Sequence, residues 1–395
     1  MTDLTFNRSS QLVPSLRRYI IPLLLAGLLV LFSSLSPYFL TVQNLTNILV
    51  QNSYMIIAAV GLSFVMISGG IDLSIGYQMS VVGIVTAVCM KWLNIPVAPS
   101  IVLGVGCGVL MGLANGLASI LLKVHSLIVT LGTLTIFQGL SYIISNQSAI
   151  INLPPAFKYI GQGYIADWLP VSVVLMLICV AIASFLLNVT SVGRMIYAIG
   201  GNEDAAYLTG LPVTRIKVLV YSLCSFFVAI SAIVLFARSG SASSSTGPGT
   251  EFTAITAAVL GGISFKGGEG RMLGLVTGVL ILGVLANGMQ LVGLNTYAQY
   301  IVKGFVLLAA VGFDTYQNSN SYQQESTLKW LIRIPPTAPT VSTCCLSPTS
   351  SISRTSISTS PTVQAHSRGL TSTCPMAVHL KGAGPCSFLC TAGRG

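Results

Sequence analysis

Charged side chains are scarce in this sequence. Asp, Glu, Lys and Arg together make up 7% of the chain, whereas a soluble domain usually carries about 25%. That scarcity excludes water as the main solvent around the fold. The nine acids stand one or two at a time between Asp3 and Glu325, and no carboxylate pair for acid–base work stands out. Of three histidines, only His125 lies in the apolar part, beside Lys123. No G-x-x-x-x-G-K-[ST] phosphate loop occurs, so ATP is not bound by that route. The nine cysteines lack the paired spacing of a zinc or redox site. Cys89, Cys107, Cys179 and Cys224 sit singly in apolar runs, where a thiol behaves as a small hydrophobe. The chain reads as a non-enzyme that binds no metal or cofactor. Its net charge of +10 is spread between apolar runs and not gathered on one face, which argues against nucleic acid as a partner.

What is abundant is apolar sequence, 53% of the residues. A helix crosses the hydrocarbon of a bilayer with about 20 such residues. Ten segments qualify as apolar runs: Ile20–Leu35, Leu49–Ile67, Leu73–Met90, Ile101–Leu122, Leu127–Ile144, Val171–Leu187, Val218–Ala237, Phe252–Phe265, Met272–Val292 and Tyr297–Phe313. They imply an all-α polytopic transmembrane bundle of about ten spans. The first reads as a retained span, since no small-residue cleavage site precedes the following segments. The eighth is short for a crossing and fits a broken or re-entrant helix. With the N-terminus inside, inner segments hold Arg8, Arg17, Arg18, Lys123, Arg194, Arg215, Lys217, Lys266 and Arg271; outer ones hold Lys91, Lys158 and Arg238. That bias follows the positive-inside rule.

Two glycine ladders stand out: Gly104, Gly108, Gly112 and Gly116, then Gly270, Gly274 and Gly278, continued by Gly283 and Gly288. Such stripes either pack helices closely or let them slide during transport. Residues 1–314 form the membrane domain. Residues 315–395 are rich in Ser, Thr, Pro and Cys and read as a disordered tail.

The loop 189–217 carries a short helix signature. Asn202 suits an N-cap, Glu203 and Asp204 suit the positive end of a helix dipole, Ala205 and Ala206 keep one face slim, and Gly210 suits the stop. It is either an ordinary amphipathic loop helix or a cytoplasmic helix that docks in a groove of another protein. Asp72, in Ser68-Gly69-Gly70-Ile71-Asp72-Leu73-Ser74-Ile75-Gly76, either caps the following span or places a charge at a gate. Asn52, Gln78, Thr130, Thr133, Asn287 and Gln290 are polar residues within spans; they either line a path or bond to neighbouring helices.

These motifs carry a resemblance. Ala205-Ala206-x-x-x-Gly210 with the acids Glu203 and Asp204 resembles the coupling segment of ABC importer permeases, with Asp204 inserted after Glu203. The run 68–76, Tyr197-Ala198-Ile199-Gly200-Gly201-Asn202, and Gly261-Gly262-Ile263-Ser264 through Gly267-Gly268-x-Gly270 resemble signatures of the ribose-, galactose-, xylose- and arabinose-type branch. The resemblance spans roughly residues 15–314. It implies a permease subunit in a bacterial inner membrane that imports a monosaccharide. It also implies a second permease copy or sister permease, ATPase subunits that hold ATP and Mg, and a periplasmic or extracellular sugar-binding protein. Coupling to the ATPase would fall to Gly200, Gly201, Asn202, Glu203, Asp204, Ala205, Ala206 and Gly210, and the gate to Gly69, Gly70, Asp72 and Ser74. An ion-gradient-driven carrier and a non-transporting membrane scaffold are the other classes; against the first, no span carries the acids of a proton relay.

Overall fold

The computed structural model describes residues 9–312, with side chains from residue 22 onward. The segment 315–395, read above as a disordered tail, lies outside the described residues. In lipid a backbone must satisfy its own polar groups, so long apolar runs fold as helices. The chain forms α1 (Ser9–Leu35), α2 (Val42–Ile67), α3 (Ile75–Lys91), α4 (Val97–Leu121), α5 (Ser126–Ile144) and α6 (Pro155–Gln162). A two-residue hairpin follows, β1 (Tyr164–Ile165) against β2 (Leu169–Pro170). Then come α7 (Val171–Asn188), α8 (Ser191–Gly201), α9 (Glu203–Leu208), α10 (Val213–Ser239), α11 (Thr250–Leu260), α12 (Met272–Leu291) and α13 (Thr296–Gly312).

Each of the ten apolar segments coincides with one of these helices, but six of them, α2, α4, α5, α7, α10 and α12, are long and apolar enough to cross a bilayer. Pro22–Leu35 of α1, α3, α11 and α13 are shorter. The fold is therefore an all-α multi-pass bundle with six crossings supported by length and composition, fewer than the ten expected. Polar, glycine-containing breaks precede two of the short helices: 68–74 ahead of α3 and 240–249 ahead of α11. With 11 residues, α11 is about 16 Å long, half of a hydrocarbon core of about 30 Å.

Helices α2 and α10 lie antiparallel at the centre, with Phe64 stacked on Phe227 at 5.7 Å and Ser231 Oγ donating to the Tyr54 carbonyl at 2.5 Å. Around them the chain repeats one order. A long helix, a break, a short helix and a glycine-laddered helix appear as α2–α3–α4 and again as α10–α11–α12. In each set the laddered helix packs on its own short helix and on the long helix of the other set. The ladders explain how. Gly104 faces Thr86 of α3, while Gly108, Gly112 and Gly116 face Ala229, Ser225, Tyr221 and Val218 of α10. Gly274 and Gly278 lie against Gly261 and Ala257, and Gly283 lies against Asn52 of α2. A Cβ at Gly112 or Gly278 would overlap its neighbour. Lipid supplies no hydrophobic drive between helices, so this close approach, with its dispersion contacts, holds the bundle.

Candidate functional site

The loop between α7 and α10 folds as two helices. Asn202 caps α9, its Oδ1 accepting from the Ala205 amide at 2.9 Å. The helix stops where Gly210 takes φ +82°; the amides of Gly210 and Leu211 reach back to the carbonyls of Tyr207 and Ala206, the double closure of a glycine-ended helix. Ala206 is the buried face of α9. Tyr207 and Leu208, 72% and 84% exposed, make an apolar tip that none of the described residues covers. Glu203 pairs with Lys217 Nζ of α10 at 2.6 Å.

Three glycine pairs that are far apart in sequence meet beside this segment. Gly200, next to last in α8, lies against the carbonyl of Ile67, the last residue of α2, and against the Gly268 amide. That same Ile67 carbonyl accepts from the Gly268 amide at 2.8 Å. Gly69, Gly267 and Gly268 hold φ of +83°, +86° and +74°, which only glycine adopts at little cost. A Cβ on Gly267 would come within 2.7 Å of Gly69 backbone, and one on Gly268 within 2.8 Å of Gly201 Cα. The Tyr197 hydroxyl of α8 adds a 2.8 Å bond to the Gly270 carbonyl. The end of α2, the α8–α9 segment and the loop before α12 are thus joined backbone to backbone. At Gly200, Gly267 and Gly268 the nearest neighbours are all backbone atoms.

From the junction the chain turns inward through 68–74 to Asp72, which is fully buried. Its Oδ1 accepts from the Ser74 amide at 2.9 Å and the Ser74 hydroxyl at 2.6 Å; its Oδ2 accepts from Gln78 Nε2 at 3.1 Å and Asn115 Nδ2 at 3.4 Å. All four partners donate, the set an ionised carboxylate needs when water is excluded. Asp72 does not bond the first free amides of α3 as an N-cap would; it fixes the turn before α3 through Ser74 and Gln78. Gln78 Oε1 in turn accepts from Ser225 of α10 at 2.6 Å, and Thr130 Oγ1 of α5 donates to the Ile71 carbonyl at 3.2 Å. The turn is therefore tied to α3, α4, α5 and α10.

The remaining in-span polar residues do not join this cluster. Asn52 donates to the Ile48 carbonyl of its own helix. Asn287 forms a reciprocal amide pair with Asn44, at 2.9 and 3.0 Å. Thr133 donates to the Thr130 carbonyl, and Gln290 is exposed at the end of α12. Sequence reasoning missed Asn115, Ser225 and Glu251. Glu251 is a buried acid in the first turn of α11, with both oxygens at 3.0 Å from the Gly249 amide, where the break before α11 meets Gly76 of α3. The signal available for it was an acid immediately ahead of the short eighth segment, placed as Asp72 is placed ahead of the third. Among the described residues no cluster of His, Cys, Asp or Glu could hold a metal ion.

Comparison with known proteins gives this arrangement relatives. The family model described as the permease component of branched-chain amino acid transport systems matches residues 44–311. The ribose import permease of Bacillus subtilis is 38% identical over 73% of this chain and 89% of its own length. The L-arabinose transport system permease of Escherichia coli is 40% identical over 74% and 90%, and the D-allose transport system permease of Escherichia coli is 36% identical over 74% and 89%. No solved structure matches the chain. The matched stretch contains the 68–74 turn, the α8–α9 segment and the loop before α12, so the junction they form lies wholly within what is shared, and the chain belongs to the family of multi-pass membrane permeases that includes the ribose, arabinose and allose importers.

Proposed function

We propose that this chain is the transmembrane subunit of an ATP-binding-cassette importer that carries a monosaccharide of the ribose, arabinose or allose kind into a bacterial cytoplasm. Two ATPase subunits hydrolyse ATP with Mg on the side of α9, a sugar-binding protein delivers the solute at the opposite face, and a second permease copy or sister completes the path. Sugar is favoured over a branched-chain amino acid by the named transport roles of the relatives above.

The observation that carries the mechanism is the glycine junction. The exposed Tyr207 and Leu208 tip of α9 seats in a groove on the ATPase. Closure of the ATPase pair moves α9, and Gly200 passes that displacement to the Ile67 carbonyl and Gly268 without the slack of a side chain. The 68–74 turn shifts with it, and Asp72 spreads the motion to α3, α4 and α10. Packed interfaces switch between discrete arrangements rather than deforming smoothly, so a small push at α9 suits a rocking bundle. Gln78 and Thr130 sit beside the turn, where a passing sugar meets hydrogen-bonding groups; Asn52 and Asn287 serve packing.

Reconstituted vesicles test this reading. Uptake of labelled ribose, arabinose or allose that requires the cognate ATPase, binding protein and ATP supports it. Uptake that follows an ion gradient without them makes the chain a secondary carrier, and saturable uptake of leucine in place of sugar would overturn the substrate class.

A further inference from the structure

A cavity of about 440 Å³ opens between the 68–70 turn, the α4–α5 connection and the start of α9 and α10. Its lining is rich in hydrogen-bond donors. Lys123 and Lys217 contribute ammonium groups. Lys217 is paired with Glu203, the acid that also lines the cavity, while Lys123 makes no ion pair among the described residues. His125 Nδ1 accepts from the Leu127 amide at 3.3 Å, which puts the ring proton on Nε2 and leaves it as a donor. At the floor lies Tyr221, 3% exposed, whose buried hydroxyl makes no hydrogen bond within 3.5 Å and has the Ser126 hydroxyl as its nearest polar side-chain neighbour. A buried hydroxyl without a close partner costs free energy, and an acceptor reaching this point would relieve it. The Ser119 and Ser126 hydroxyls complete the wall.

A neutral sugar is poorly matched to two ammonium groups and one carboxylate at such close quarters. An anion with several acceptor oxygens matches them well, since Lys is a point-charge partner for phosphate. We infer that this cavity is a binding site for a phosphate group carried on a small hydroxylated molecule. Its occupant bridges the turn, through Tyr221 beside Gly70, and the Glu203–Lys217 pair that anchors α9, and so clamps the joint through which α9 moves the turn. The clamp rests on the importer reading above; the binding site does not.

The test uses the purified full-length permease alone, with labelled glycerol 3-phosphate as the probe in equilibrium dialysis and glycerol as the uncharged control. Saturable binding of one glycerol 3-phosphate per chain is expected, with none for glycerol. Tyr221→Phe removes an unpartnered hydroxyl, so it should leave the melting temperature unchanged or raised while weakening binding about tenfold, the loss of one hydrogen bond to a charged group. Lys123→Gln, at an exposed position, should weaken binding by a similar factor. Repeating the titration in phosphatidylglycerol and phosphatidylcholine nanodiscs separates two sources: loss of probe binding in phosphatidylglycerol alone assigns the site to a lipid headgroup, and equal binding in both assigns it to a soluble phosphate. Absence of saturable binding, or binding that neither variant weakens, overturns the proposal. Because no ATPase is present, that failure would leave the importer reading standing, and failure of ATP-driven uptake would leave the phosphate site standing.

Discussion

Gly200 and Gly201 are neighbours in opposite situations. A Cβ on Gly200 would overlap the Ile67 carbonyl and the Gly268 amide, while one on Gly201 would meet nothing within 4 Å. Gly200→Ala should therefore cost about 1–3 kcal/mol as overpacking and abolish transport. Gly201→Ala should leave both the melting temperature and uptake close to wild type, and paired melting and uptake assays check this. Asp72 makes the second residue-level contrast. Asp72→Ala strands several buried donors, each costing about 1–3 kcal/mol, whereas Asp72→Asn keeps an oxygen for Ser74 and lets the Asn115 amide, whose Oδ1 has no partner, turn to meet the new donor. Denaturation in mild detergent should rank Ala well below Asn; equal loss in both would assign the role of Asp72 to its charge. Asp72 was legible in the sequence because an acid among apolar runs is conspicuous. Asn115 and Ser225 were not, because a single amide or hydroxyl in an apolar helix gives no sign of which neighbour it will meet.

The helix α9 depends on its ends more than on its six residues. Asn202→Ala should remove about 1 kcal/mol of capping, and Gly210→Ala should cost at least that by forcing a Cβ into φ +82°. Both changes fall on an element outside the spans, so melting of the bundle should barely move while ATP-driven uptake falls, which separates coupling from folding. The Glu203–Lys217 pair is different. Its side chains are 54% and 28% exposed, so solvent screening holds its worth below about 1 kcal/mol, and Glu203→Gln should shift the melting temperature little. Sequence reasoning placed this helix well because a cap, acids in the first turn and a stopping glycine are local signals. Of the ten segments read from hydropathy, length and composition support six as full crossings, because helix ends do not follow hydropathy alone: Ser74 belongs to a turn ahead of α3, and α11 ends five residues before the apolar run does. The strands and α6 went unseen, being too short to show a period.

At the scale of the whole chain, two sets of helices of the same order pack around α2 and α10, and the three glycine motifs meet in one place. That convergence could not be read from spacing, since Gly69, Gly200 and Gly267 are separated by more than a hundred and by more than sixty residues; each motif was visible, and their contact was not. The central claim is that α9 receives force from an ATPase on the inner side of the membrane and hands it to the turn at Gly69. Leu208→Cys, on the most exposed residue of the α9 tip, tests this most directly when assembled with its ATPase partners and treated with a short thiol cross-linker in inside-out and right-side-out vesicles. The account predicts a cross-link to the ATPase and, without the partner, labelling by an impermeant maleimide in inside-out vesicles alone. Labelling from the outer face, or a cysteine at 208 that never joins the ATPase in an actively transporting complex, would contradict it.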